Sequence, residues 1–244
     1  MVTSQPKESG DLEYFNNDIE TPISEHLVEL QQRFLVSLIV VLALSVGCLV
    51  LIKPIVELIQ HPATGVKFLQ FSPGEYFFTT VKLAFYSGFL ISFPFTLYQV
   101  ILFILPGLSF SERRTFLPIL AGSVFLFSLG VIFSYQALIP AALKFFLSYS
   151  EGTIEPLWSF DQYCEFIISL LFLSGLAFQL PVAQVLLGMF GLVNSQMLLK
   201  NWKFVVVGST IIGATLTPST DPVTQLLLSS AILLLFCLGV GVVF

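Results

Sequence analysis

Charge is missing from long stretches of this chain, and that absence limits its fold more than any other feature. Residues 34–52, 116–143, 166–192, 204–216 and 223–244 contain no Asp, Glu, Lys or Arg, and 76–105 contains only Lys82. An apolar helix needs about twenty residues to cross a hydrocarbon layer about 30 Å thick. A lipid-exposed chain must also satisfy its backbone hydrogen bonds internally, which favours helices. With 56% hydrophobic residues, 10% charged residues and 26 Phe, the chain is too poor in charge to cover a water-facing surface. A mean hydropathy of +0.92 agrees. The expected class is therefore an all-α polytopic membrane protein, with a disordered tail over 1–22 and one six-span domain over 23–244.

The spans are expected at 34–52, 76–105, 116–143, 166–192, 204–218 and 223–244. The fifth run is short. Its thirteen uncharged residues over 204–216 give only about 20 Å of helix. Two short spans in a thinned bilayer are expected, with a re-entrant hairpin as the alternative. Pro94, Pro118, Pro140 and Pro181 fall inside apolar runs. Each removes a helical hydrogen bond, so kinked, curved helices are expected.

Basic residues flanking the spans set orientation. With six spans, Lys7, Arg33, Arg113, Arg114, Lys200 and Lys203 fall on one side, and Lys53, Lys67 and Lys144 on the other. This bias places both termini on the cis side, the cytoplasm or its plastid equivalent. Seven of the fifteen acids lie in the first thirty residues, so the net charge of −5 reports an acidic start, not a partner. No basic stripe exists, which argues against nucleic acid. No GxxxxGK[ST], HExxH or GxSxG occurs, and His26 and His61 are expected on opposite sides. Neither a cofactor nor a metal is expected. Cys48, Cys164 and Cys237 have no ligand spacing and are read as buried, inert thiols. The start is acidic, unlike a cleavable signal or transit peptide.

Two cis segments carry the chemistry. ISEHLVELQQRF over 23–34 reads as an amphipathic helix leading into the first span, with Ser24 as its cap and Glu25 and Glu29 on one face. LPGLSFSERR over 105–114 sets Glu112 beside Arg113 and Arg114. Alone, each reads as an anchoring helix or a stop signal. Together they place two carboxylates, Glu29 and Glu112, where little other charge exists. A guanidinium pairs with a carboxylate in a two-pronged fork, so this surface suits an Arg-containing peptide.

SEHLVEL at 24–30, FFTTVKL at 77–83, YQV at 98–100, LPGL at 105–108, ERR at 112–114, FQLPV at 178–182 and LTPSTDPVTQ at 216–225 occur in that order. In this order the chain resembles the TatC subunit of the twin-arginine protein translocase, over nearly its whole length. The resemblance implies a bundle of six kinked helices with a concave face and short fifth and sixth spans. It implies binding of twin-arginine signal peptides of folded precursor proteins at Glu29 and Glu112, with Glu25, His26, Arg33 and Arg113 beside them. It implies assembly with TatA-type and TatB-type single-span subunits into a multi-copy receptor complex driven by the proton gradient. Gln179, Thr217 and Asp221 are the implied partner-helix contacts. Many bacterial members have Arg where this chain has Gln31, and Glu where it has Gln179. The Gln in FQLPV and the LTPSTDPVTQ turn are similar to plastid and cyanobacterial members, so the plastid thylakoid membrane is expected, with a cyanobacterial or bacterial inner membrane as the alternative.

Further roles follow from position. Gln179 is expected to bond either a partner helix or an atom of its own chain near Pro181. Lys82 is expected to snorkel to the trans interface. Asp161 and Glu165 are expected to cap the fourth span, and Asp221 to cap the sixth with Pro222 at its first position. A small-solute transporter is the competing function. It requires paired polar groups near the midplane or an internal repeat, and no repeat is seen. An intramembrane enzyme would need a nucleophile with a base at membrane depth.

Overall fold

A computed structural model describes residues 23–104, 116–152, 155, 157–191, 200, 202–216 and 221–243. Helix α1 (Ile23–Val50) runs unbroken from the amphipathic segment through the first apolar run. Helix α2 (Ile52–Gln60) follows at once, then a 3-10 turn over His61–Ala63 and strand β1 (Lys67–Leu69). Helix α3 (Glu75–Ile104) returns across the bundle. Helix α4 (Phe116–Phe133) passes through a π-helical turn, Ser134–Leu138, into α5 (Ile139–Ser150). Strand β2 (Leu157–Ser159) leads into α6 (Phe160–Ala177) and α7 (Leu180–Met189). Helices α8 (Trp202–Leu216) and α9 (Pro222–Val243) complete the described chain.

Among the described residues, five segments are long and apolar enough to cross a membrane: His26–Val50, Glu75–Phe103, Leu117–Ser150, Phe160–Met189 and Pro222–Gly241. Helix α8 is the short one, 15 residues or about 22 Å. It packs against α9 where a Cβ on Gly213 would stand 2.5 Å from Ser229 Oγ, and Ser229 donates to the Ser209 carbonyl at 3.2 Å. Small residues that allow backbones to approach are the usual means of joining helices in lipid, where the hydrophobic effect gives no drive. The same device joins α1 to α3. A Cβ on Gly88 would lie 2.5 Å from the Ser45 nitrogen, and Ser45 Oγ bonds the Val41 carbonyl at 2.8 Å. It also joins α4 to α6, where Ser174 donates to the Gly130 carbonyl at 3.0 Å and Gly175 leaves room for the Phe127 ring.

The four prolines act differently. Pro118 sits in the first turn of α4, where the missing N–H costs no helical bond. Pro94 lies within a continuous α3. Pro140 follows the π-helical turn, which absorbs its mismatch. Pro181 ends a span as a single helix: the chain turns at Phe178 and Gln179 and restarts as α7.

The stretch read as a loop after the first span contains α2, which buries Val56 and Ile59. The fourth span begins earlier than expected, at Phe160. Strands β1 and β2 pair in parallel, Lys67 with Leu157 through Leu69 with Ser159. Their core includes Leu83, Ile139, Tyr163, Ile167 and Leu170, so α2, α3, α5 and α6 meet beneath the strands. Cys48 and Cys164 are buried as expected; Cys237 is exposed, on the side of α9 away from the buried Leu235, Phe236 and Val240. Residues 1–22, held to be a tail, lie outside the described residues.

Candidate functional site

The α1 start and the α3 end form one face of the bundle. Glu29 and Arg33 are four residues apart on α1, one turn, and Arg33 Nε donates to Glu29 Oε1 at 3.0 Å. Its Nη2 donates to the same oxygen. Arg33 also reaches across to α3, where Nη1 meets Gln99 Oε1 at 3.4 Å. His26, one turn earlier, stacks on Phe103 with centroids 4.2 Å apart. Its Nδ1 stands 3.6 Å from Glu29 Oε2, beyond normal hydrogen-bond range. Glu29 therefore has one oxygen committed to Arg33 and one open to a further donor. Its side chain is 33% exposed.

Directly inward lies a groove of about 280 Å³ between α1 and α3. Leu30, Phe34, Leu38 and Val41 form one wall, and Phe85, Phe89 and Phe103 the other. Arg33 and Gln99 stand at its mouth. A second groove of about 260 Å³ runs between α3 and α7, past Phe93, Leu97, Val182 and Gln179. Thr96 and Val100 line both, so the two form one recessed side. Sequence reasoning missed Gln99 and Phe103 as parts of this site. The signal was the YQV segment, a lone amide in an apolar helix end.

Of the other residues expected here, Glu112 and Arg113 lie outside the described residues, as does Thr217. Glu25 is described only as part of the α1 backbone. The structure thus joins Glu29, His26 and Arg33 and is silent on their joining to Glu112 and Arg113.

Gln179 lies at the α6–α7 turn. Its Nε2 donates to the Ser123 carbonyl at 3.0 Å, and its Oε1 accepts from the Ser123 hydroxyl. The amide ties α4 to the broken span through Ser123, with no bond to a carbonyl freed by Pro181. Asp221 is 2% exposed and caps α9, accepting from the Thr224 N–H at 2.8 Å and from the Thr224 hydroxyl. Pro222 holds the first helical position, as expected.

The opposite face is built around carboxylates that bond inward. Glu75 Oε2 accepts from the N–H groups of Phe71 (2.6 Å) and Ser72 (3.1 Å), and its Oε1 from Ser159 Oγ at 3.0 Å. Asp161 Oδ1 accepts from Thr79 Oγ1 at 2.7 Å and Lys82 Nζ at 3.1 Å. Two expectations are corrected here. Lys82 is held in an ion pair rather than simply snorkelling, because α6 brings Asp161 beside it. The α6 cap is Ser159, whose Oγ accepts from the Gln162 N–H at 3.4 Å, which frees Asp161 for Lys82 and Thr79.

Residues 25–230 match the profile of the family described as Sec-independent protein translocase protein (TatC). A Synechocystis sp. protein called Sec-independent protein translocase protein TatC is 50% identical over 242 residues, covering 99% of this chain and 95% of the other. The chloroplastic Sec-independent protein translocase protein TATC of Oryza sativa subsp. japonica is 48% identical over 233 residues, covering 95% of this chain and 65% of the other. A Trieres chinensis protein named an uncharacterized tatC-like protein, ycf43, is 53% identical over 226 residues, 93% of this chain and 86% of the other. A crystal structure of the twin-arginine translocase receptor TatC aligns with a TM-score of 0.78 at 33% identity, covering 89% of this chain and 97% of that one.

Proposed function

The chain belongs to the TatC family of multi-pass membrane proteins, and from that we propose that it is the receptor subunit that binds twin-arginine signal peptides on its Glu29 face. The observation that carries this reading is the position of a half-open carboxylate at the mouth of an apolar groove. A signal peptide has basic residues followed by an apolar stretch. Arginine from the peptide meets Glu29 Oε2, while its apolar residues enter between Phe34 and Phe89. Glu112 and Arg113, with Glu25, complete the acidic and basic rim in this reading.

The same reading has the chain assemble with TatA-type and TatB-type single-span subunits in a multi-copy complex, moving folded precursors with the proton gradient. Support comes from the recessed side, where an apolar groove bordered by Gln179 lies open between α3 and α7. Thr217 is the further partner contact we assign; Asp221, 2% exposed, serves the α9 cap instead. We place both termini on the stromal or cytoplasmic side of a thylakoid or cyanobacterial membrane, on the strength of the basic residues flanking the spans.

Photo-crosslinking from position 30 or 103 to an Arg-Arg precursor tests the reading. The expected adduct forms with Arg-Arg and drops with Lys-Lys, since ammonium lacks the fork geometry. Equal adducts with both precursors would refute it.

A further inference from the structure

At the Asp161 end of the bundle, a cleft of about 660 Å³ opens between α5, β2 and α6. Helix α5 ends at Ser150 and α6 begins at Phe160, each the end of a segment long enough to cross a membrane, so the cleft lies where two spans meet their connecting loop. Aromatic rings dominate its walls. Phe146 and Tyr149 line it from α5, Trp158 from β2, and Tyr163 and Phe166 from α6. Trp158 stacks on Tyr163 with centroids 6.1 Å apart, and Phe146 meets Phe166 edge to face at 6.1 Å. The Tyr163 hydroxyl is committed to the Ile59 carbonyl, which leaves its ring as its contribution to the cleft.

The charge of this cleft has one sign. Among the described residues Glu155 lines it and no Lys or Arg does. Glu155 is exposed, and its carboxylate belongs to none of the ion pairs of the described residues. A second carboxylate stands behind the wall, because Ser159, which lines the cleft, donates to Glu75 Oε1 at 3.0 Å. Lys82 is held by Asp161. The faces of aromatic rings carry the negative part of their quadrupole, so the rings and Glu155 act in the same direction. An anion is repelled here. A lipid tail would set hydrocarbon against the Glu155 carboxylate. A second copy of the chain brings the same rings and carboxylates to the contact and no cation to pair them. A bare metal ion needs several oxygen ligands at close range, which ring walls do not supply.

We infer that this cleft is a binding site for a quaternary ammonium group of the choline type. Such a group joins an apolar surface of methyls to a full positive charge, and aromatic walls beside a carboxylate meet both. A primary ammonium is compact and strongly hydrated, so it loses more water on entering between rings. Gln162 also lines the cleft, and its side-chain amide has no partner among the described residues. It can donate to the oxygen that choline carries beyond its ammonium. A free solute and the headgroup of a choline lipid share this chemistry. The inference goes beyond signal-peptide binding and uses no residue of that site.

The test uses purified full-length chain in phosphatidylglycerol nanodiscs. The chain has two Trp, and Trp202→Phe leaves Trp158 as the reporter inside the cleft. The probes are choline and its uncharged carbon isostere 3,3-dimethylbutanol, with sodium chloride and inositol as controls at matched ionic strength and concentration. Choline is expected to change the Trp158 fluorescence saturably and to bind at least about fivefold more tightly than the isostere. Glu155→Gln should lower choline affinity at least about threefold and leave the isostere unaffected. Tyr149→Leu should also weaken choline; both residues are exposed, so neither change threatens the fold. Phosphatidylcholine nanodiscs separate the two sources: choline binding lost there assigns the site to a lipid headgroup, and binding retained there assigns it to a free solute. The absence of a saturable response to choline, equal affinity for the isostere, an equal response to sodium or inositol, or choline affinity unchanged in Glu155→Gln would each overturn the inference.

Discussion

The two ends of the bundle handle charge in opposite ways. At the Asp161 end, two carboxylates are turned inward: Glu75 closes the chain onto Phe71, Ser72 and Ser159, and Asp161 joins α3 to α6. A parallel strand pair and the Tyr163 hydroxyl bond to the Ile59 carbonyl at 2.7 Å add to the same lock. At the Glu29 end, one ion pair stands at the mouth of an open groove, and one carboxylate oxygen stays available. Polar groups that satisfy each other build a rigid base; polar groups left half-satisfied at a rim keep bonding capacity for something else. The first end holds the helices in register, and the second presents its chemistry outward.

The hardest break should come where both ends depend on the same backbone contact. Gly88→Val drives a side chain into the Ser45 backbone, 2.5 Å away, which no rotamer can relieve. The expected result is loss of folded protein from membranes, read by resistance to limited proteolysis. Asp161→Ala should cost about 2 kcal/mol in a denaturing-detergent titration. Most of that loss comes from the bond to buried Thr79, because Lys82 is half exposed and its pair is screened. Signal-peptide affinity of the folded fraction should not change. Glu29→Gln should reverse that pattern, with an affinity loss of about tenfold and stability altered by less than about 0.5 kcal/mol. Tyr163→Phe, the mildest change, should lower stability by about 1 kcal/mol through the lost bond to Ile59, again without effect on binding. If Asp161→Ala weakened peptide binding in proportion to Glu29→Gln, the division between the two ends would fail.

The apolar runs made the spans legible, because lipid forces period and length onto a helix. Glu29 was legible for a related reason: charge is so scarce that a carboxylate at the head of the first span stands out, while His26 and Arg33 entered only through the family resemblance. Three features escaped. Helix α2 was hidden by Pro54 and by the His61-Pro62 end, although Ile52, Ile55, Val56 and Ile59 repeat on one face. The β1–β2 pair joins segments about 90 residues apart with three residues each, too short for a pattern. The Lys82–Asp161 pair and the Gln179–Ser123 bonds are tertiary, and no local rule assigns partners across helices. The Ser159 cap was readable, since Gln162 follows it at capping-box spacing, but Asp161 offered a competing cap.

The most direct test of the central claim is the affinity of the full-length chain in nanodiscs for a synthetic signal peptide with Arg-Arg or Lys-Lys. The wild-type chain should bind the Arg-Arg peptide about tenfold more tightly, and Glu29→Gln should erase that preference while the apolar part of the peptide keeps its residual binding. Equal affinity for the two peptides, or full discrimination retained in Glu29→Gln, would contradict it.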